Sequence, residues 1–289
     1  MTKNVLKEEN NMKVVFIGAG SMAEAIIAGG LSQKALTKEE VIVTNRSNQK
    51  RLQELEEKYG ISSCGRDRLD EALREADVVI LAMKPKDAKE ALEAIKPHVP
   101  PAVLVISVLA GVSISFIEET LEIPCAVVRA MPNTSAAIGQ SATGIVLNRH
   151  VTEQQQKYTL NLFSAIGLTA IVEEDQIDAV TGLSGSGPAY IYYLVEAMEK
   201  AAAEIGLDED TAKPLIIQTL LGAAKMLSTT GQKAEDLRKA VTSPGGTTEA
   251  GLRVLEERQM REAVIDCIKA ATAQSKKLGL PFLKQISNR

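Results

Sequence analysis

Two short segments of this chain combine residue types and spacings suited to binding anions. The first is Thr242-Ser243-Pro244-Gly245-Gly246-Thr247-Thr248. Pro244 ends what precedes it, Gly245 and Gly246 permit a tight backbone path, and Thr247 and Thr248 open a helical stretch running to about Leu255. Several backbone N–H groups then converge at the positive end of a helix dipole. For a small ligand the matching anion is a carboxylate. Taken alone, the simpler reading is an N-capped helix after a turn. The second segment is Gly18, Ala19, Gly20, Ser21, Met22 and Ala23, a G-x-G-x-x-A pattern. It follows an apolar strand over residues 14–17 and opens a helix from Met22 to about Leu31, the context that gives the pattern meaning. Gly18 permits the turn, Gly20 lets a pyrophosphate approach the backbone, and Ala23 keeps the helix close to the sheet.

The end of the second strand, residues 41–44, bears on the choice of nicotinamide cofactor. An acid there holds the 2′-hydroxyl of an NAD ribose, whereas this chain has Asn45, Arg46 and Ser47. Arg and two short polar side chains suit a 2′-phosphate, so NADPH is favoured and NADH is the weaker alternative. The simpler reading of Arg46 is a solvated turn residue. Ala82, Met83, Lys84 and Pro85 end another apolar run. Met83 is placed to pack on a cofactor and Pro85 turns the chain. Lys84 reads equally as a phosphate or ribose contact and as a loop cap. Residues 107–111 are expected to line the same crevice.

Acid–base candidates are few. His98 lies among prolines and His150 in a polar loop, and both read as surface residues. Oxidising an alcohol normally needs a base of that kind. Reducing an imine needs less, since a protonated C=N is already electrophilic and a threonine hydroxyl can orient the nitrogen. Lys225 is the alternative acid, although a helical lysine reaching solvent or an interface is the simpler account. A second glycine-rich stretch, Gly182-Leu-Ser-Gly-Ser-Gly-Pro-Ala-Tyr190, reads equally as a helix start and as a close backbone approach to substrate or a partner subunit.

The elements that must hold these segments follow from hydrophobic periodicity. Short β-branched runs alternate with helical stretches through residues 12–174. The apolar runs 78–82 and 103–106 lack alternation, as strands buried on both faces do. This predicts an α/β, doubly wound parallel sheet of the Rossmann type with helices on both sides. Further strands are expected at 77–83, 102–107 and 125–129, and helices at 51–59, 87–95 and 114–121. Past residue 174 the β signal fades, so residues 175–289 are expected to form an all-α domain for substrate binding and dimerisation. On one helix Tyr190, Leu194, Ala197, Ala201 and Ile205 fall on a single face. The next carries Ile216, Leu220, Ala223 and Leu227, with Pro214 in its first turn. Residues 215–227 are apolar on more than one face, which predicts burial against a second subunit. Helical spacing resumes at 261–278. Residues 1–11 are polar and read as a flexible extension.

Composition fits a globular chain of 289 residues with 45% hydrophobic and 24% charged residues. A net charge of −4 with no basic cluster argues against a nucleic-acid partner. With no Trp, four Phe and five Tyr, the core must be aliphatic. Cys64, Cys125 and Cys267 lie far apart and read as isolated thiols in a reducing compartment, so the expected location is cytoplasmic, with no metal. No apolar run is long enough for a membrane span.

With these residues in view the chain resembles the pyrroline-5-carboxylate reductases. The resemblance spans Met12 to about Leu278. It rests on the segments 18–23, 82–85, Arg129-Ala-Met-Pro-Asn-Thr134, 180–190 and above all 243–248. It implies a Rossmann domain followed by a helical dimerisation domain, with active sites at the dimer interface and often rings of dimers. It implies a small imino-acid substrate, 1-pyrroline-5-carboxylate, reduced to proline. It also implies that Thr248 bonds the imine nitrogen while Ser243, Gly245, Gly246 and Thr247 hold the carboxylate.

Overall fold

The computed structural model describes residues 12–287; the expected extension over residues 1–11 lies outside the described residues. The chain divides into two compact units. One comprises the residues up to Gly187 together with those from Ala270 onward, and the other spans Pro188–Lys269.

The first unit is built on an eight-stranded sheet of order β3-β2-β1-β4-β5-β6-β7-β8. Its strands are β1 (Val14–Ile17), β2 (Val41–Thr44), β3 (Ser62–Cys64), β4 (Val78–Leu81), β5 (Leu104–Ser107), β6 (Ala126–Met131), β7 (Ser141–Leu147) and β8 (Gly167–Ile171). The helices here are α1 (Ser21–Ser32), α2 (Gln49–Tyr59), α3 (Leu69–Arg74), α4 (Ala88–Ile95), α5 (Ile114–Leu121), α6 (Glu153–Ser164) and α7 (Ile177–Val180). Strands β1 to β6 are mutually parallel, in a register that sets Phe16 beside Val43 and Ile80.

The two-residue period of a strand decides which side chains meet which helices. Val14 and Phe16 join one buried cluster with Ile26, Leu52 and Phe163, from α1, α2 and α6. Val15 and Ile17 join the other with Leu73, Leu92 and Ile117, from α3, α4 and α5. A strand covered on both faces has no polar side to show, and so its sequence runs apolar without a break.

The sheet departs from the expected parallel pattern at β7, which runs antiparallel to β6, with β8 parallel to β7. The connection from β6 is only a 3-10 turn, Thr134–Ile138, closed by Gly139 at φ 70°. A parallel crossover needs a dozen or more residues, so a link this short reverses the strand. The helix after β7 is marked by a capping box between Thr152 and Gln155.

The second unit contains most of α8 (Gly187–Glu204), then α9 (Glu209–Thr230), α10 (Ala234–Ala240), α11 (Thr247–Glu257) and the start of α12 (Met260–Ser287). Its buried core is small: Ala202, Ala212 and Ile216, packed by Val195, Met198 and Leu220. The line that α8 buries is therefore 195, 198 and 202. The shared face of Tyr190, Leu194, Ala197, Ala201 and Ile205 lies beside that line, and Ile205 is 76% exposed. Pro214 lies in the second turn of α9 rather than its first, because the helix starts at Glu209, capped by Asp208, whose carboxylate accepts the Thr211 N–H at 2.8 Å.

Helix α12 continues well past Leu278, and its later part belongs with the sheet. Ser275 donates to Asp178 at 2.6 Å. Phe282 is buried against Phe116, with ring centroids 4.8 Å apart. The expected boundary at 174/175 marks where strands end, whereas compactness changes at 187/188 and again at 269/270.

Candidate functional site

The first unit holds a cavity of about 550 Å³ at the carboxyl ends of β1, β2 and β4. Gly18, Ala19, Gly20, Ser21, Met22, Asn45, Arg46, Ser47, Ala82, Met83 and Lys84 all line it. Eleven of the thirteen residues read as cofactor contacts are thus brought together. Ala23 is fully buried beneath them on α1, and Pro85 begins the 3-10 turn Pro85–Asp87. Residues 107–111 are outside this lining. Gly111 instead meets α12, where an added Cβ would come within 3.0 Å of the Gly279 nitrogen.

The phosphate loop is pinned on both sides. The Gly18 N–H donates to the Thr44 carbonyl at 3.0 Å, and Ala82 N–H donates to Ile17 at 2.9 Å. Gly18 has φ 116°, and a Cβ there would meet the Ala82 backbone at 2.6 Å. Gly20 differs. It caps α1 at φ −76°, and an added Cβ would find only the Ala82 oxygen, at 4.0 Å. No side chain caps this helix, and its first internal bond is Glu24 N–H to the Gly20 carbonyl. The N–H groups of the first turn remain available for an anion.

A polar cluster braces the loop from below. Arg51 Nε donates to the Ala19 carbonyl at 3.0 Å, and the same guanidinium pairs with Glu24. Lys58 and Tyr59 also bond that carboxylate, at 2.8 and 2.9 Å. Hydrogen bonds from Lys58, then Arg51, hold the Glu24 carboxyl well below its ordinary range, at about 2.

The cavity wall around Arg46 is not free of acid. Arg46 Nη1 lies 3.2 Å from Glu90 and 3.4 Å from Asp87, both of which line the cavity. These carboxylates follow β4 rather than end β2, so spacing along the chain did not reveal them. Arg66 and Lys86 line the cavity too and also escaped sequence reading; the polar run Gly65-Arg-Asp-Arg68 was the available signal.

In the second unit Thr247 and Thr248 open α11, with Gly246 as N-cap at φ −82° and Gly245 at φ 70°. Ser243 closes the turn by accepting the Gly246 N–H at 3.0 Å, and the Gly245 N–H donates to Glu249 at 2.8 Å. Of the residues expected to hold a carboxylate, Gly245 and Gly246 thus have amides that already have acceptors. The unpaired donors are those of the first helical turn, Thr247 and Thr248 included. Glu249 was missed, although a glutamate at the third position of a helix is a known capping signal.

The segment 182–190 starts as a π-turn, Thr181–Gly185, with Ser186 N–H donating to Thr181 at 2.8 Å. Asn133, from the segment 129–134, fixes it by donating to the Ser184 carbonyl at 3.0 Å. Arg129 is buried and pairs with Glu174 at 3.0 Å. Neither histidine lines the cofactor cavity, and Lys225 is exposed on α9. Among the described residues no group of acidic, Cys or His side chains could hold a metal, and no helix is long and apolar enough to cross a membrane.

Known proteins share this architecture. A family model described as pyrroline-5-carboxylate reductase dimerisation matches residues 174–278, and one described as NADP oxidoreductase, coenzyme F420-dependent, matches residues 13–111. Pyrroline-5-carboxylate reductase 2 of Bacillus subtilis is 49% identical, covering 93% of this chain and 96% of its own. Pyrroline-5-carboxylate reductase 1 of Bacillus spizizenii is 47% identical over 96% and 93%. Among solved structures, a Plasmodium falciparum pyrroline carboxylate reductase with NADP bound superposes with a TM-score of 0.86 at 29% identity, covering 94% of this chain and all of that one. The Coxiella burnetii pyrroline-5-carboxylate reductase gives 0.84 at 39% identity, covering 93% and 99%. By identity over nearly its whole length, this chain belongs to the pyrroline-5-carboxylate reductase family.

Proposed function

We propose that the protein reduces 1-pyrroline-5-carboxylate to L-proline, with NADPH as hydride donor and NADH as a weaker substitute. The observation that carries this reading is the cavity in which the loop 18–22, the polar triplet 45–47 and the strand end 82–84 converge. The open first turn of α1 and the unfilled space beside Gly20 fit a pyrophosphate. Asn45, Arg46 and Ser47 offer donors to a 2′-phosphate.

Bound NADPH supplies the hydride for the C=N carbon. The residues of this chain position and bind. The substrate carboxylate takes the amides of Thr247 and Thr248, aided by the Ser243 hydroxyl, and reaches the amides of Gly245 and Gly246 by displacing Glu249 and the Ser243 carbonyl. Thr248 Oγ1 holds the ring nitrogen. No step needs a histidine base, and most of the rate comes from positioning.

The active unit in this reading is a homodimer in the cytoplasm, with dimers assembling into rings. Leu215, Ile217, Leu221, Met226 and Leu227 on α9 are each 45% exposed or more, far more apolar surface than one helix leaves to water. Light scattering of the purified protein reads the subunit number.

The test of the activity follows NADPH absorbance with 1-pyrroline-5-carboxylate and then with related cyclic imines. Oxidation with the first at the highest kcat/KM is expected. No oxidation with any of them overturns the reading.

A further inference from the structure

From the cavity wall around Arg46 we infer that Arg66 joins Arg46 in holding the cofactor 2′-phosphate, and that Glu90 is the internal counter-ion which that phosphate displaces. This rests on the NADPH reading above. Strands β2 and β3 are parallel, with Thr44 paired to Cys64. Arg46 and Arg66 each lie two residues beyond that pair, so they leave the sheet side by side at its carboxyl edge.

A single carboxylate now spans them. Glu90 Oε2 accepts from Arg46 Nη1 and Glu90 Oε1 from Arg66 Nη2, both at 3.2 Å. Each oxygen takes one guanidinium. A phosphate monoester presents oxygens at a similar spacing and carries about two negative charges in place of one. The three side chains are 56%, 63% and 60% exposed, so these pairs are weak and exchange readily. Arg46, Arg66, Lys84 and Lys86 line the cavity with only Asp87 and Glu90 against them, which leaves net positive charge for the incoming group.

Glu90 then sets cofactor choice from outside the 45–47 triplet. A ribose without the phosphate leaves both arginines on Glu90, whereas the phosphate has to take them from it. Specificity is the difference between those two binding energies.

The experiment titrates 2′,5′-ADP and 5′-AMP, without substrate or turnover, into the wild-type protein and the variants Arg66→Ala and Glu90→Gln by calorimetry. Arg66→Ala is expected to weaken 2′,5′-ADP about tenfold and leave 5′-AMP within about twofold. Glu90→Gln is expected to tighten 2′,5′-ADP about threefold without altering 5′-AMP. The inference alone is overturned if the wild type prefers 2′,5′-ADP but Arg66→Ala changes nothing, or if Glu90→Gln weakens it. If the wild type binds both nucleotides equally, the NADPH preference itself fails, and the inference with it.

Discussion

The Cβ that Gly18 lacks would lie 2.6 Å from the carbonyl carbon and oxygen of Ala82, whereas the one that Gly20 lacks would lie 4.0 Å from that oxygen and from nothing nearer. The first glycine is required by the protein itself, whereas the space beside the second is left unfilled by the protein. Gly18→Ala should lower stability by about 2–4 kcal/mol, through a backbone clash and a positive φ. Gly20→Ala should leave Tm nearly unchanged and weaken NADPH binding at least tenfold. Thermal melts with and without NADPH separate the two.

Thr248 carries the substrate side of the proposal. Thr248→Ala should lower kcat by about tenfold to a hundredfold, because a donor to the ring nitrogen is lost while the cofactor cavity is untouched. NADPH affinity, read by fluorescence, should stay within about twofold. A variant with full kcat would remove Thr248 from the mechanism.

Glu24 makes stability depend on acid. Its carboxyl titrates at about 2 against an ordinary 4.5, held down by Lys58 and Arg51. A depressed carboxyl contributes its stabilisation above the unfolded value and loses it as pH falls through the folded one. The contribution, about 1–2 kcal/mol after allowing for partial exposure, is present above pH ~4.5 and fades toward pH ~2. Over that window the Tm of the wild type should fall more steeply than that of Glu24→Gln. Parallel slopes would deny Glu24 this role.

Tyr158 tests an opposite kind of burial. Its hydroxyl is enclosed and has no hydrogen-bond partner among the described residues. Tyr158→Phe should leave stability unchanged or raise it by about 1 kcal/mol, since an unsatisfied polar group disappears. Urea denaturation measures this, and a loss above about 1 kcal/mol would mean the hydroxyl is satisfied after all.

What was legible in the sequence follows physical rules. β1, β4 and β5 stood out because burial on both faces demands unbroken apolar runs. β7 did not, because it opens with Ser141-Ala-Thr-Gly144 and only its end is aliphatic. The convergence of the segments 18–22, 45–47 and 82–84 on one cavity was legible because each follows the end of a parallel strand. Glu90 and Arg66 were not, because their closeness to Arg46 arises from strand order. Glu249 stood at the third position of α11, a capping signal, but the Gly245 amide it accepts from lies one residue before the N-cap, where that signal does not point. On α8 two apolar lines compete, and the spacing alone does not tell which one the chain buries for itself.

The last helix has a consequence for how this protein can be cut. Phe282 covers Phe116 and Ser275 holds Asp178, so the chain returns to the sheet after making the helical unit. The helical unit is thus an insertion into the nucleotide-binding one, entered through α8 and left through α12, both continuous helices. A fragment stopped at Gly187 would expose Phe116 and part of its cluster. A fragment that joins residues 12–187 to 270–287 through a flexible linker keeps that face covered, and is the natural starting point for isolating the nucleotide-binding half.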